Sequence, residues 1–296
     1  MPASHFTLLL VICLIWAGNF IAAAWAVDQL EPITFTVVRF GLVMALLLPF
    51  LRRPPTGQWP LLLGCCWTMG ALHFALVFMA LGRSEDVSSV ALMMQIYVPM
   101  STLLAVLLLG ERFGWRTTLG IIISFAGVLV MGLDPLVLTQ IEVVGLVLAS
   151  AFCLALGTIL MRRLQGVKLL EFQAWNAALS LPPLLALAFW IEAPGAVLVA
   201  SMESPSVWLA VAYSAIGASI IGHGGFYWLI QRHEVNLVTP YLLLVPVLAV
   251  LLGILFWGDR PGPRLMIGGG LVLLGVLWIT LRMRWRRAPQ PPATPS

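Results

Sequence analysis

The chain has 296 residues, of which 61% are hydrophobic and 9% are charged, whereas roughly a quarter of the residues in a soluble domain are charged. The apolar residues occur in runs of about twenty, the length at which a helix crosses a hydrocarbon core of about 30 Å. This composition excludes a water-soluble fold and predicts an all-α integral membrane protein. The net charge of +4 predicts no nucleic-acid partner, because the basic residues lie at the ends of the apolar runs.

Ten transmembrane helices are predicted when the chain is divided at its polar breaks and at its Pro and Gly breaks. The connections are short, so neighbouring helices must be antiparallel and no loop can hold a soluble domain. The predicted spans are 6–27, 33–51, 59–81, 88–109, 115–133, 143–163, 171–192, 207–230, 235–256 and 264–282.

The distribution of charge predicts the orientation of these helices, since cytoplasmic loops accumulate Lys and Arg. With the amino terminus inside, 12 of the 16 basic residues fall in inner segments, and nine of the 12 carboxylates fall in outer ones. Both termini are therefore expected in the cytoplasm, in a multi-pass protein of the cell membrane. The first span is predicted to be retained, because no Lys or Arg precedes it as in a cleaved signal peptide.

The cysteines and the carboxyl-terminal tail are expected to have no chemical role. All four cysteines lie within apolar runs, where they are typical of small buried hydrophobes and not of disulfide partners or metal ligands. The Pro-rich tail, residues 288–296, is predicted to be disordered. The cysteines are Cys13, Cys65, Cys66 and Cys153.

An internal repeat links the two halves of the chain. The segment 110–130 recurs at 258–278, and each copy joins the fourth and fifth helix of a half. An odd number of helices per half makes the two copies insert in opposite directions, which is typical of secondary transporters with a substrate site near the bilayer midplane. The predicted units are a first five-helix repeat at 1–134 and a second at 135–287. The residues identical after 148 positions are Gly110, Arg112, Gly114, Arg116, Gly120, Gly127, Val128 and Leu129.

The sequence resembles the drug/metabolite transporter superfamily, and within it the ten-helix EamA-type permeases. The resemblance rests on WAGNF at 16–20, VVRFGLVMALLLP at 37–49, GERF at 110–113 and the glycine-spaced fifth and tenth helices. The second half departs from the pattern, with GDRPG at 258–262 and LALGTIL at 154–160. The resemblance implies two inverted five-helix repeats around a central cavity that opens alternately to either side. It also implies an exporter of small organic metabolites, with amino acids, including aromatic ones, as the expected substrates.

Polar side chains at membrane depth need an internal partner or a wet cavity, since they are costly in hydrocarbon. In the eighth span Ser219, His223 and Tyr227 recur every four residues and share one helix face. Aromatic walls with a few amide, hydroxyl and imidazole groups suit a zwitterion with an apolar side chain. A lone polar residue also ties helices together, and this interpretation stays open for Asn19, Gln95 and Ser219. The candidate substrate-binding residues are Trp16, Asn19, His73, Phe74, Gln95, Tyr97, Ser219, His223, Tyr227, Tyr241 and Arg39.

Arg39 is the permanently charged residue that lies well inside a predicted span, and it has two interpretations. An isolated Arg at that depth costs roughly 2.5–3.5 kcal/mol on insertion scales, so it is expected either to bind a substrate carboxylate or to pair with carbonyl groups and hold the second helix. His73 and His223 are the intramembrane groups with an ordinary pKa near neutrality. Proton coupling and facilitated transport both stay open.

Pro99 and Pro246 fall near the middle of the fourth and ninth spans, at corresponding places in the two halves. Each removes a backbone hydrogen bond and favours a kink. They are predicted to be matched hinges, with static kinks as the alternative. The glycines of the fifth and tenth spans predict close helix packing, and a dimer surface there is a further possibility.

The rival classes are a membrane-embedded enzyme, a channel, and a carrier of other metabolites or drugs on the same fold. An enzyme needs paired carboxylates, a metal motif or a Ser and His pair, and the carboxylates here lie in loops or at helix ends. A channel needs a charged ring or a filter loop. There is no ATP-binding loop, so we predict no ATPase subunit, no cofactor and no metal. The expected partners are a small-molecule substrate and membrane lipids, for a monomer or homodimer.

Overall fold

The computed structural model describes residues 1–110, 114–192, 204–230, 232–233 and 238–286. Within these ranges the secondary structure contains helices and no strands. Eight helices are long and apolar enough to cross a membrane, and two shorter apolar helices, Tyr241–Trp257 and Pro263–Ile279, follow them. The predicted all-α membrane class is confirmed, and the count of ten spans stays a prediction.

The observed helices agree with the predicted spans to within four residues at each end, except that the ninth begins at Tyr241 and not at 235. Residues 111–113 of the repeated loop and the predicted disordered tail at 288–296 lie outside the described residues. The helices are α1 (Ala3–Val27), α2 (Pro32–Phe50), α3 (Trp59–Arg83), α4 (Val87–Leu109), α5 (Trp115–Gly132), α6 (Ile141–Met161), α7 (Leu169–Glu192), α8 (Pro205–Phe226), α9 (Tyr241–Trp257) and α10 (Pro263–Arg286).

Proline and glycine set several of these boundaries. Pro32, Pro205 and Pro263 each occupy the first turn of a helix, where the missing N–H has no intrahelical partner to lose. Gly110 ends α4 with φ +66° and Gly258 ends α9 with φ +81°. Both glycines adopt the left-handed conformation that terminates a helix, and they are related by the 148-residue repeat.

Two transmembrane helices contain a π-helical segment that ends directly before a histidine. In α3 the segment Cys66–Leu72 precedes His73, and in α8 the segment Tyr213–Gly222 precedes His223. A π-helix bonds each carbonyl to the N–H five residues ahead, and it occurs frequently at functional sites. The sequence analysis did not predict these segments.

The two predicted hinge prolines also lie in similar surroundings. A 3₁₀ segment, Met94–Ile96, lies shortly before Pro99 in α4, and another, Thr239–Leu243, lies shortly before Pro246 in α9. Both prolines are buried. The backbone thus departs from regular α geometry at both places, and a hinge motion there stays a prediction.

The helices α5 and α10 pack closely through glycines, as predicted. A Cβ atom built on Gly127 would lie 2.6 Å from the Gly268 carbonyl oxygen, and one on Gly275 would lie 2.6 Å from that of Gly120. Ser124 Oγ donates to the Val272 carbonyl in the same contact at 3.4 Å. The two helix backbones therefore meet where a side chain would separate them, so these glycine faces are covered within the chain.

One end of the helix bundle is held by carboxylates that cap other helices. We call the end at which α1 ends and α2 begins the outer end, after the predicted orientation. Glu192, at the end of α7, accepts backbone N–H bonds from the start of α2 at 2.7 and 2.8 Å. Asp259, after α9, accepts bonds from the start of α4 at 2.8 and 3.2 Å, and Asp134, after α5, accepts one from the start of α10 at 3.1 Å. Negative charge at a helix amino terminus is stabilising.

Candidate functional site

Arg39 lies in α2 with only 1% of its surface exposed. Its Nη2 donates a hydrogen bond to Ser219 Oγ of α8 at 2.9 Å, and its guanidinium carbon lies 4.2 Å from the ring centroid of Phe74. Within the described part of the chain, its buried Nε and Nη1 have no hydrogen-bond partner. Buried polar groups in proteins are normally hydrogen-bonded. Arg39 therefore connects the two predicted halves while keeping unused donors.

His73 is buried in α3 and pairs with Ser150 of α6. Its Nδ1 lies 2.8 Å from Ser150 Oγ, and that hydroxyl in turn donates to the His73 carbonyl oxygen at 2.9 Å. Nδ1 also lies 3.3 Å from the Ser150 carbonyl oxygen, which can only accept, and we therefore assign the proton to Nδ1. In the neutral imidazole, Nε2 is then a hydrogen-bond acceptor.

His223 follows the π-helical segment of α8 and shares a carbonyl with Trp16 of α1. Its Nδ1 lies 2.8 Å from the Ala218 carbonyl oxygen, and Trp16 Nε1 donates to the same oxygen at 3.1 Å. The two rings lie 5.1 Å apart between centroids. Because a carbonyl only accepts, Nδ1 of His223 carries a proton, and in the neutral ring Nε2 is again an acceptor.

Arg39, His73 and His223 form one polar group at the centre of the helices, which we call the central cluster. Phe74 joins two of them, because it lies 4.2 Å from the Arg39 guanidinium carbon and 4.7 Å from the His73 ring, and Ser219, which accepts from Arg39, lies one turn before His223. His223 is exposed although its ring contacts Trp16. The cluster thus offers a cation and two imidazole acceptors beside aromatic rings. Within the described ranges, no group of three His, Cys, Asp or Glu residues is arranged to hold a metal ion.

The other predicted site residues lie at different distances from the central cluster. The Oδ1 atom of Asn19 in α1 is buried and has no partner among the described residues. Gln95 and Tyr97 are partly buried in α4, at and directly after its 3₁₀ segment. Tyr241 packs on Phe6, with ring centroids 5.4 Å apart.

The described contact of the Tyr241 side chain does not reach the central cluster. The partner of Tyr241, Phe6, lies ten residues before Trp16 in α1, which is about 15 Å along a helix. The side chain of Tyr241 therefore lies toward the inner end of α1, although its carbonyl accepts from Cys13 Sγ at 3.5 Å, one turn before Trp16, and the side chain of Tyr227 lies outside the described residues.

Polar residues of α6 and α7 were missed by the sequence analysis. Ser150 holds the ring of His73. In α7, Ser180 Oγ donates to the Cys66 carbonyl of the α3 π-segment at 2.9 Å, while the buried amides of Gln173 and Asn176 keep atoms without a partner in the described chain. The spacing of these three α7 residues by three and four positions was the available signal, because it places them on one helix face.

These features define a multi-pass membrane protein with a polar centre, and comparison with known sequences gives its family. The model of the EamA-like transporter family matches residues 4–133 and 142–281. Together the two matches cover more than half of the chain. The chain belongs to the EamA-like transporter family, in the drug/metabolite transporter superfamily.

Individual relatives cover nearly the full length. A protein of Escherichia coli K12 named "Probable amino-acid metabolite efflux pump" is 26% identical, with 95% of this chain and 96% of that protein covered. A Streptantibioticus cattleyicolor protein named "Probable terminal-alkyne amino-acid exporter" is 27% identical, with 92% of each covered. An uncharacterised protein of Pseudomonas aeruginosa is 30% identical over 97% of this chain and 98% of its own. A solved crystal structure shares the fold, with a TM-score of 0.62 at 21% identity over 97% of this chain and 100% of that one.

Proposed function

We propose that this protein exports small organic metabolites, foremost amino acids, by alternating access between its two halves. The observation that carries the proposal is the central cluster, in which side chains from α2, α3 and α8 keep unused hydrogen-bonding groups at membrane depth. Such groups are costly unless a ligand or water meets them. The names of the relatives from Escherichia coli and Streptantibioticus cattleyicolor support the amino-acid assignment.

The chemistry of the cluster suits the ammonium end of an amino acid. An ammonium group has three donors and no acceptor, and the neutral imidazoles of His73 and His223 each leave Nε2 as an acceptor. Phe74 and Trp16 contact these rings at centroid distances of 4.7 and 5.1 Å. Aromatic rings beside the acceptors would stabilise a cation and an apolar side chain.

The packing of α5 on α10 supports the inverted repeat. Gly120 meets Gly275 and Gly127 meets Gly268, so the two helices run antiparallel. The repeat of 148 positions relates Gly120 to Gly268 and Gly127 to Gly275, so it converts the first pair into the second. Equivalent points on two antiparallel helices are related by a two-fold axis perpendicular to both. If both helices cross the bilayer, that axis lies in the membrane plane, as in transporters with inverted repeats.

The outer end supports alternating access. Each capping carboxylate belongs to one predicted half and caps a helix of the other: Glu192 and Asp259 cap α2 and α4, and Asp134 caps α10. Movement of one half against the other must break these bonds. These contacts support a carrier that is closed at its outer end in this structure and that breaks them during export.

The proposal is tested by counterflow in liposomes that contain the purified protein. Radiolabelled amino acids, nucleotide sugars and cationic drugs are offered from outside, with the same unlabelled compound inside, and His223→Ala and Tyr97→Ala serve as site variants. We expect saturable amino-acid flux that both variants reduce. Flux of sugars or drugs alone would overturn the substrate, and absence of any flux would overturn the carrier.

A further inference from the structure

The guanidinium of Arg39 has the properties of an unfilled anion site. It is a permanent cation, almost completely buried, and no carboxylate of the described residues pairs with it. The ring of Phe74 covers one face, with the rings of Phe78 and Phe40 at 5.5 and 5.7 Å from the guanidinium carbon. Burying an unpaired charge costs several kcal/mol, so this environment favours a ligand that brings negative charge.

A purely structural role would leave most of the hydrogen-bond donors of Arg39 unused. The bond from Nη2 to Ser219 Oγ ties α2 to α8, and a neutral donor would make the same tie without a buried charge. Ser219 donates its own hydrogen to the Ser214 carbonyl at 3.0 Å. The hydroxyl therefore acts as an acceptor toward Arg39, and it fixes the orientation of the guanidinium.

The geometry of the guanidinium leaves one complete edge free. Nη2 has two hydrogens, one directed to the edge that it shares with Nε and one to the edge that it shares with Nη1. Ser219 accepts one of them. Whichever hydrogen it accepts, the other edge keeps two parallel N–H groups, the arrangement that binds a carboxylate through both oxygens.

We propose that Arg39 binds the carboxylate of the transported compound, with Phe74 moving aside to admit it. This inference rests on the proposed export function and names its specificity: a substrate with a free carboxylate is preferred over an amino acid whose carboxylate is masked as an amide. The carboxylate neutralises the buried cation, whereas an amide leaves the charge unpaired. The ammonium end is then directed toward His73 and His223.

The test measures binding to the intact protein in detergent, which avoids passive leakage across a membrane. Radiolabelled phenylalanine and leucine are the probes, with phenylalanine, phenylalaninamide, leucine and leucinamide as unlabelled competitors. The variants are Arg39→Gln and Arg39→Lys. Arg83→Gln is the matched control, because Arg83 pairs with Glu142 at an exposed position away from the cluster.

We expect each amide to compete about tenfold or more weakly than its parent acid, since a carboxylate paired with a buried cation contributes strongly to affinity. Arg39→Gln should weaken binding of the acids and remove their advantage over the amides, and Arg39→Lys should restore part of it. Arg83→Gln should behave as the wild type. A monodisperse profile in size-exclusion chromatography confirms that each variant is folded, and the comparison of acid with amide needs only the wild-type protein.

Two results would overturn the inference, and they differ in what they say about the function. If the amides compete as well as the acids, or Arg39→Gln keeps the preference for the acids, the carboxylate site is wrong and the amino-acid carrier stands. If the wild type binds neither amino acid and shows no amino-acid counterflow, both the inference and the proposed function are wrong.

Discussion

Charged side chains at the outer end of this molecule have hydrogen-bond partners, whereas the buried charge at its centre lacks most of its partners. At the outer end, Glu192, Asp134 and Asp259 each accept hydrogen bonds from the start of another helix. At the centre, Arg39 is more deeply buried than Asp259, yet it makes one side-chain hydrogen bond and keeps two nitrogens without a partner in the described chain.

This difference distinguishes charges that stabilise one conformation of the protein from a charge that binds a ligand. A charge whose hydrogen bonds are all made stabilises the state in which they are made, and it gains nothing from a ligand. A charge with unused donors destabilises the empty protein and is relieved when a ligand arrives. Our proposal therefore assigns the outer carboxylates to the closed conformation and Arg39 to the substrate.

The largest effect on stability is expected from Asp259→Ala. The change removes the acceptor for two buried backbone N–H groups at the start of α4, and each buried donor left unpaired costs about 1–3 kcal/mol. We expect a loss of about 2–4 kcal/mol, measured as a lower Tm in detergent. An unchanged Tm would show that these caps do not hold the outer end.

Asp86→Asn is the matched control on the same surface. Burial, together with the neighbouring Asp259 and Asp134, raises the pKa of Asp86, so its contribution to stability is present at low pH and is lost as pH rises through the raised pKa. Asn accepts the same capping bond from the Ser89 N–H. The variant should keep the wild-type Tm at low pH and should lose less stability than the wild type as pH rises.

At the centre, removal of a charge should leave the stability nearly unchanged or raise it, unlike Asp259→Ala at the outer end. Arg39→Met removes an unpaired buried cation, so we expect a free energy of unfolding no more than about 1 kcal/mol below that of the wild type, or above it. Ser219→Ala, by contrast, takes the acceptor from Nη2 and should lower the Tm. A marked loss of stability in Arg39→Met would indicate that the role of Arg39 is purely structural.

Substitution of the two prolines tests whether a hinge motion couples the central cluster to the outer end. Replacing Pro99 and Pro246 together by Ala restores a backbone donor in α4 and α9 and removes the bias toward a kink. Under the hinge hypothesis, counterflow slows several-fold while binding of the substrate is kept. Pro205→Ala, at the first turn of α8, is the control, and unchanged counterflow in the double variant would leave the static kink as the explanation.

The smallest effect is expected at the inner end, where His5 Nδ1 and His233 Nε2 lie 2.7 Å apart. Desolvation, together with the charges of His5 and the amino terminus, lowers the pKa of His233. The contact is therefore present at neutral pH and is lost as pH falls through that lowered pKa. Tm measured across this range should fall slightly more for the wild type than for His233→Gln, and equal slopes would contradict the contact.

Much of the fold follows from the sequence, because membrane helices are set by local composition. The apolar runs gave the helix positions, and Gly110, Gly127 and Gly268 lie where their lack of a side chain is needed. The π-segments were not predictable, since their carbonyls accept hydrogen bonds from side chains of distant helices, as the Cys66 carbonyl does from Ser180 and the Ala218 carbonyl from Trp16. In the sequence, Glu192 and Asp259 indicated only the orientation of the helices. Their capping bonds could not be predicted, because the helix starts that they cap lie more than 150 residues away.

The sequence identified residues of the candidate site, but it did not identify their hydrogen-bond partners. Depth in an apolar span identified Arg39, His73 and His223, since polar groups there are costly. The pairing of Arg39 with Ser219 and of His73 with Ser150 arises from helices that are distant in the chain. The unused donors of Arg39 could be recognised only once those partners were known.

The most direct test of the account locks the outer end while transport is measured. Gln29, directly after α1, and Ser206 of α8 are hydrogen-bonded there, across the two predicted halves, so cysteines at both positions can be joined through disulfides by a short bis-methanethiosulfonate crosslinker. We predict that crosslinking stops amino-acid counterflow in liposomes, that reduction restores it, and that the single variants Gln29→Cys and Ser206→Cys are unaffected. Full counterflow through the crosslinked protein would contradict a carrier that opens at this end.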